Sequence, residues 1–167
     1  MEQTLLDMIN EIGKNCRTEK LTLSVAESVT SGYLQYLFSQ GEQCSAYYQG
    51  GISLYNNYQK NKHFGISPAL TSSNNGVSPL VSELLAKETN SLFETNIGIG
   101  ITGFAHRDPE FNVIEPHCYI AIALDDQIIY TAEVETNSDS MEQNQIYFAS
   151  QCIAGLHKIF KTIKLTV

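Results

Sequence analysis

The stretch LTLSVAESVTSGYLQYLFSQ, residues 21–40, decides how the chain is read. Residues 21–26 are an apolar run of the length of one buried strand. The run stops at Glu27, and a polar turn follows: Ser28, Val29, Thr30, Ser31, Gly32. Large apolar residues then return at helical spacing: Tyr33, Leu34, Leu37, Phe38. The pattern predicts a strand over 21–26 and a helix over 30–39. A serine or threonine at such a junction ordinarily caps the helix by accepting from its free N–H groups. The same junction also presents a serine hydroxyl at a strand end, where a nucleophile can work.

Outward from this stretch, helix and strand alternate. Residues 4–16 place Leu5, Met8, Ile9 and Ile12 on one helical face. GEQCSAYYQGGISLY predicts a turn and a strand ending near Tyr55. NNYQKNKHFG predicts a short helix, capped by Asn56 or Asn57 and stopped at Gly65. SPALTSSNNGVS is polar and turn-rich, hence a loop. PLVSELLAKETNSLF predicts a helix with Pro79 in its first turn. NIGIGIT predicts a strand whose glycines admit another backbone at close range. GFAHRDPEFNVIEP is a long loop. HCYIAIAL and QIIYTAEVE predict a hairpin through Asp125 and Asp126. Residues 139–161 predict a final helix, entered by an Asp139-x-x-Glu142 capping pattern. No repeat or linker divides the chain, so residues 1–167 are expected to form a single α/β domain, a mixed sheet covered by helices.

Composition narrows the function classes. The chain has 167 residues, 43% hydrophobic and 17% charged, which is the balance of a globular fold. Its net charge is −8 with no basic cluster, so nucleic-acid binding is not expected. No apolar run is long enough to span a membrane, and the acidic start lacks the features of a secretory signal. Cys16, Cys44, Cys118 and Cys152 stand far apart, without zinc-like or disulfide-framework spacing. A reduced, cytoplasmic protein is the expectation. His63 reads as helix surface, His157 as solvent or helix stripe, and His106 and His117 flank the irregular loop.

Five segments together resemble the CinA C-terminal domain family, the competence/damage-inducible group that includes nicotinamide mononucleotide deamidases. AESVTSG is similar to the family's AESCTGG turn. GGISLYNNYQKNKHFGI resembles G-x-V-x-Y-S-N-E-A-K-x-x-L-G-V, and NNGVS resembles G-A-V-S. NIGIGITGFA resembles the strand ending in T-G-I-A-G-P, and EPHCYIAIA resembles K-P-V-G-T-V-x-x-A. The match covers nearly the whole chain and implies the family's three-layer fold.

The resemblance also implies a site. The family's nucleophile falls on Ser28, its catalytic lysine on Lys60 and its active-site tyrosine on Tyr55. A second active-site serine, from G-S-S-A, falls on Ser45, with Cys44 before it. Glu27, Thr30, Thr102 and Gly103 fall on the conserved turns and are expected at the substrate, and Arg107 is the nearest basic residue in the altered loop. The implied reaction is hydrolysis of a carboxamide on a pyridine nucleotide: nicotinamide mononucleotide plus water gives nicotinate mononucleotide plus ammonia. The implied partner is a small-molecule amide or pyridine nucleotide. No metal or organic cofactor is implied, and homodimerisation is. The chemistry is sound: a lysine can take a serine's proton once burial or another cation lowers its pKa.

The departures from the family pattern bear on substrate. Ser31 stands where the family has glycine. The G-P-G-G loop is replaced by HRDPEFNVI. The family's G-D-R-x-x-x-R segment, whose arginine suits a phosphate, is replaced by TNSDSMEQNQ, which has no arginine. Two readings therefore stand: an amidohydrolase with Ser28–Lys60 machinery, and a degenerate relative that binds a small molecule or protein without turnover.

Overall fold

A computed structural model describes residues 3–162. The apolar run forms β1 (Leu23–Glu27), and all five residues are buried. A strand buried on both faces needs cover above and below. β2 (Tyr48–Ser53) and β3 (Ile97–Phe104) flank it in parallel. β4 (His117–Leu124) and β5 (Gln127–Glu135) extend the sheet antiparallel, giving the order β2-β1-β3-β4-β5. The sheet is mixed and its second half is the predicted hairpin, with Asp125 in a left-handed turn conformation (φ 50°).

Helices cover both faces. On one lie α1 (Gln3–Glu19), α2 (Tyr33–Ser39) and α6 (Met141–Thr162). Their Ile9, Ile12, Leu37, Phe38, Phe148 and Leu156 pack against Leu23, Val25, Ile99 and Ile120 of the sheet. On the other lies α5 (Pro79–Phe93). A Cβ at Gly98 would stand 2.0 Å from the Ala86 carbonyl oxygen, and one at Gly100 would stand 2.1 Å from that of Ser82. The two glycines thus let the α5 backbone lie directly on β3, as the NIGIGIT run predicts. α3 (Asn57–Phe64) and the short α4 (Pro68–Thr71) join this layer, where Phe64 and Ile66 meet Ala26, Leu54 and Leu85.

The differences from expectation have local causes. α2 starts three residues late because Ser31 and Gly32 both have positive φ, 50° and 96°, which no α-helix accepts. The predicted loop after Gly65 contains α4, started by Pro68 behind a Ser67 cap. Asp139 does not cap α6; the Ser140 hydroxyl accepts from the Gln143 N–H at 3.3 Å instead. Of the two candidates for α3, Asn56 is the cap, and Gly65 ends the helix at φ 62°.

Topology fixes where a ligand fits. From β1 the chain crosses one face through α2 to β2, then crosses the other through α3–α5 to β3. The two crossovers leave a crevice at the carboxyl ends of β1 and β3, the usual ligand position in open α/β sheets. No helix among the described residues is long and apolar enough to cross a membrane.

Candidate active site

Ser28 leaves the end of β1 into that crevice. Its N–H donates to the Ile101 carbonyl at 3.0 Å, so the sheet ladder continues one residue past the strand. The turn is then locked from inside. The fully buried Glu27 carboxyl accepts from the Leu34 and Gln35 N–H groups, both at 3.1 Å, and from Gln35 Nε2 at 2.8 Å. The buried Thr30 hydroxyl also donates to it. Glu27 therefore supplies the N-terminal acceptor for α2 that a serine or threonine was expected to supply; Gly32 at the cap position makes no side-chain bond. Gln145 of α6 clamps the turn from above, donating from Nε2 to the Val29 carbonyl at 2.9 Å.

Lys60 arrives from α3. It lies one turn before Phe64, so both side chains point inward from one helix face. It is 1% exposed, and its Nζ lies 3.1 Å from Ser28 Oγ. Burial lowers its pKa to about 8. The ammonium keeps no carboxylate partner among the described residues; the hydroxyl of Ser28 is its hydrogen-bond partner. This is the arrangement in which an amine can accept a serine proton near neutral pH.

Ser28 opens into a cleft of about 110 Å³. Tyr55 and Gly103 line it, as the resemblance implies. So do Asn75, Val77, Phe104 and His106, of which sequence reading singled out only His106. The missed signal was NNG: Asn75 and Gly76 both adopt left-handed φ, 53° and 72°, and the turn carries Asn75 to the cleft. The N–H groups of Val29 and Thr30 make no hydrogen bond among the described residues, whereas that of Ser31 donates to the Ser28 carbonyl at 3.2 Å. Of the first two, Val29 lines the cleft and Thr30 does not, so an oxyanion site at this turn rests on Val29.

The remaining expected residues sit elsewhere. Glu27 and Thr30 are consumed by the turn, with no free face toward a substrate. Thr102 is fully buried behind the cleft wall, and its hydroxyl holds the Gly76 carbonyl at 2.8 Å. Ser45 is exposed in a 3-10 turn (Cys44–Ala46) ahead of β2. Tyr48 pairs with Leu23, so Ser45 lies where the parallel strands begin and Ser28 where they end, about 17 Å of strand apart. Arg107 pairs with Glu115 at 2.8 Å and with Asp139. His63 is exposed on α3, and His157 bridges α6 to Glu11 of α1 at 2.6 Å.

Comparison with known proteins agrees with this fold. The sequence pattern described as CinA C-terminal domain matches residues 5–160. The chain belongs to the CinA C-terminal domain family. A CinA-like protein of Amoebophilus asiaticus is 38% identical over 100 residues, 59% of this chain and 24% of its own length. A putative competence-damage inducible protein of Moorella thermoacetica is 40% identical over 85 residues, 51% of this chain and 20% of its own. The chain thus spans about a quarter of the length of such CinA relatives. Protein MG115 of Mycoplasma genitalium matches over 89% of this chain and 94% of its own, at 24% identity. The crystal structure of a competence-damaged protein (CinA) superfamily member from Klebsiella pneumoniae superposes with a TM-score of 0.85 at 17% identity, covering 96% of this chain and all of that one. One from Escherichia coli gives 0.84 at 21%, covering 95% and 93%. The CinA superfamily fold is the one seen here: five mixed strands between two helical layers.

Proposed function

We propose that this CinA C-terminal domain hydrolyses a primary carboxamide, with Ser28 as nucleophile and Lys60 as its proton acceptor. The observation that carries the reading is the buried 3.1 Å contact between Lys60 Nζ and Ser28 Oγ at the floor of a cleft. Ser28 Oγ bonds to the amide carbon while its proton passes to the neutral Lys60 amine. The C–N bond then breaks, and the Lys60 ammonium returns the proton to the leaving ammonia. Water attacks the resulting ester, giving its proton to Lys60 and releasing the carboxylic acid as Ser28 is re-protonated. The free N–H of Val29, which lines the cleft, is the donor for the oxyanion at each stage, an effect worth roughly 3–4 kcal/mol where geometry is preorganised. Tyr55 orients the amide from the cleft rim.

The family resemblance extends the reading to nicotinamide mononucleotide as substrate and to a homodimer. The four free cysteines, three of them buried, support a reducing, cytoplasmic setting. Against the phosphate stands the engagement of Arg107 by Glu115 and Asp139, which favours binding without turnover of the mononucleotide, or a different amide. Ammonia release across nicotinamide, its riboside, its mononucleotide and simple aryl amides tests this. Release from at least one amide, lost in Ser28→Ala, is the expected result. No release from any of them leaves the binding-only reading.

A further inference from the structure

Beside the Ser28 cleft lies a second and larger hollow of about 380 Å³. Val77 and Phe104 line both, so the two chambers share a wall. One wall of the outer chamber, Phe111 to Ile114, belongs to the segment that departs from the family pattern. Its aromatic groups are contiguous. Phe104 stands 5.8 Å from Phe111 and 5.8 Å from His117, centroid to centroid. Its formal charge is negative. Glu115 and Glu135 line it, and no lysine or arginine does among the described residues. Arg107, the nearest guanidinium, is already shared between Glu115 and Asp139.

Given the hydrolase reading above, on which this rests, we propose that the outer chamber receives the distal half of the amide substrate, and that this half is an uncharged or cationic aromatic group. Ring faces attract ring edges and cations, and carboxylates at the rim add to the second preference. A phosphate would bring nearly two negative charges to a site lined by Glu115 and Glu135 and by no lysine or arginine among the described residues. The volume suits one ring with its linker, at the lower end of small-molecule sites. The inner cleft, at about 110 Å³, has room for the carboxamide-bearing ring and little else.

Three ligands separate the possibilities when titrated calorimetrically into the Ser28→Ala protein. N1-methylnicotinamide fills only the inner cleft. N1-benzylnicotinamide adds an aromatic ring, and nicotinamide mononucleotide adds a phosphate. The benzyl compound is expected to bind about tenfold tighter than the methyl compound, and the mononucleotide no tighter than the methyl compound. Phe111→Ala should then weaken the benzyl ligand at least about fivefold more than the methyl ligand. Glu135→Lys, at an exposed strand end where folding is not at issue, should raise the mononucleotide's affinity relative to the benzyl ligand. Equal affinity of benzyl and methyl compounds, tightest binding by the mononucleotide, or an unchanged benzyl advantage in Phe111→Ala each overturns the proposal. Ammonia release from the wild-type protein is scored separately. Tight benzyl binding without hydrolysis of any amide sinks the hydrolase reading and leaves the chamber. Hydrolysis without a benzyl preference does the reverse.

Discussion

The turn after β1 and the segment after β3 face one another across the cleft, yet the first is held by a buried carboxylate and the second by one buried amide, a small apolar cluster and exposed ion pairs. In the turn, Ser28 and Thr30 are buried and Glu27 spends both oxygens on interior donors. In the facing segment, residues 105–116, a two-residue bridge joins Asp108 to Val113, and Arg107 reaches exposed carboxylates on either side. Buried hydrogen bonds to a charged group are worth about 1.5–3 kcal/mol, and exposed ion pairs about 0–1. The difference teaches a division of labour. The wall bearing Ser28 is fixed, and the facing wall is free to change sequence without disturbing it.

The largest expected effect comes from breaking the fixed wall at its hydroxyl. Ser28→Ala should lower kcat on any accepted amide by about 10⁴-fold or more while the melting temperature holds. Near-normal turnover would remove serine catalysis and, with it, the reason for the turn's rigidity.

Lys60 sharpens the comparison because it stores instability in the rigid half. Its amine titrates near 8 when folded, against an ordinary 10.5. Between those pH values the unfolded chain binds more protons than the folded one, so folding stability gained from this residue rises with pH across that window. Below about pH 8 both states are charged and the full cost is present, on the order of 3 kcal/mol. Lys60→Met should therefore abolish activity and raise the melting temperature at pH 7, with the gain shrinking toward pH 10. Wild-type kcat/KM should climb through pH 8 and level above it. Lys60→Arg should be inactive at every pH, since a guanidinium stays protonated. A Lys60→Met protein less stable than wild type at pH 7 would show that the amine is not buried at a cost.

Glu27→Ala removes the acceptor under four donors at once. The expected loss is roughly 3 kcal/mol of stability, measured by denaturant unfolding, with a drop in kcat as Ser28 loses its fixed position. An unchanged midpoint would mean that α2 packing alone sets the turn.

How much of this was legible depends on whether a residue's partner is near in sequence. The strand–turn–helix, the glycines under α5 and the Asn56 cap follow from local pattern, and the structure has them. Ser28 and Lys60 were named through the family spacing, since neither residue alone distinguishes a nucleophile from a cap or a solvated lysine. What escaped were roles set by distant contacts. Glu27 caps a helix seven residues on, so no local capping pattern marks it. Thr102 meets Gly76 across 26 residues, and Ser45 lies behind a parallel strand whose register only the sheet reveals. Asp139 was misread for the same reason: Arg107, 32 residues away, draws it off the helix end.

Arg107 gives the smallest expected effect and the sharpest check on the facing wall. Its two ion pairs are exposed, with Arg107 at 42% and Asp139 at 89% side-chain accessibility. Their combined worth is then below about 2 kcal/mol, or roughly 4–8 °C in melting temperature at most. Arg107→Ala should shift the melt by no more than that. It should also leave the affinity for nicotinamide mononucleotide nearly unchanged, because the guanidinium is already spent on carboxylates. Salt should mimic the substitution, since screening weakens exposed pairs first. If Arg107→Ala instead abolished a strong preference for the mononucleotide over its riboside, the arginine would have left Glu115 and Asp139 to grip the phosphate. The facing segment would then be a phosphate clamp, as firmly committed to function as the serine turn opposite.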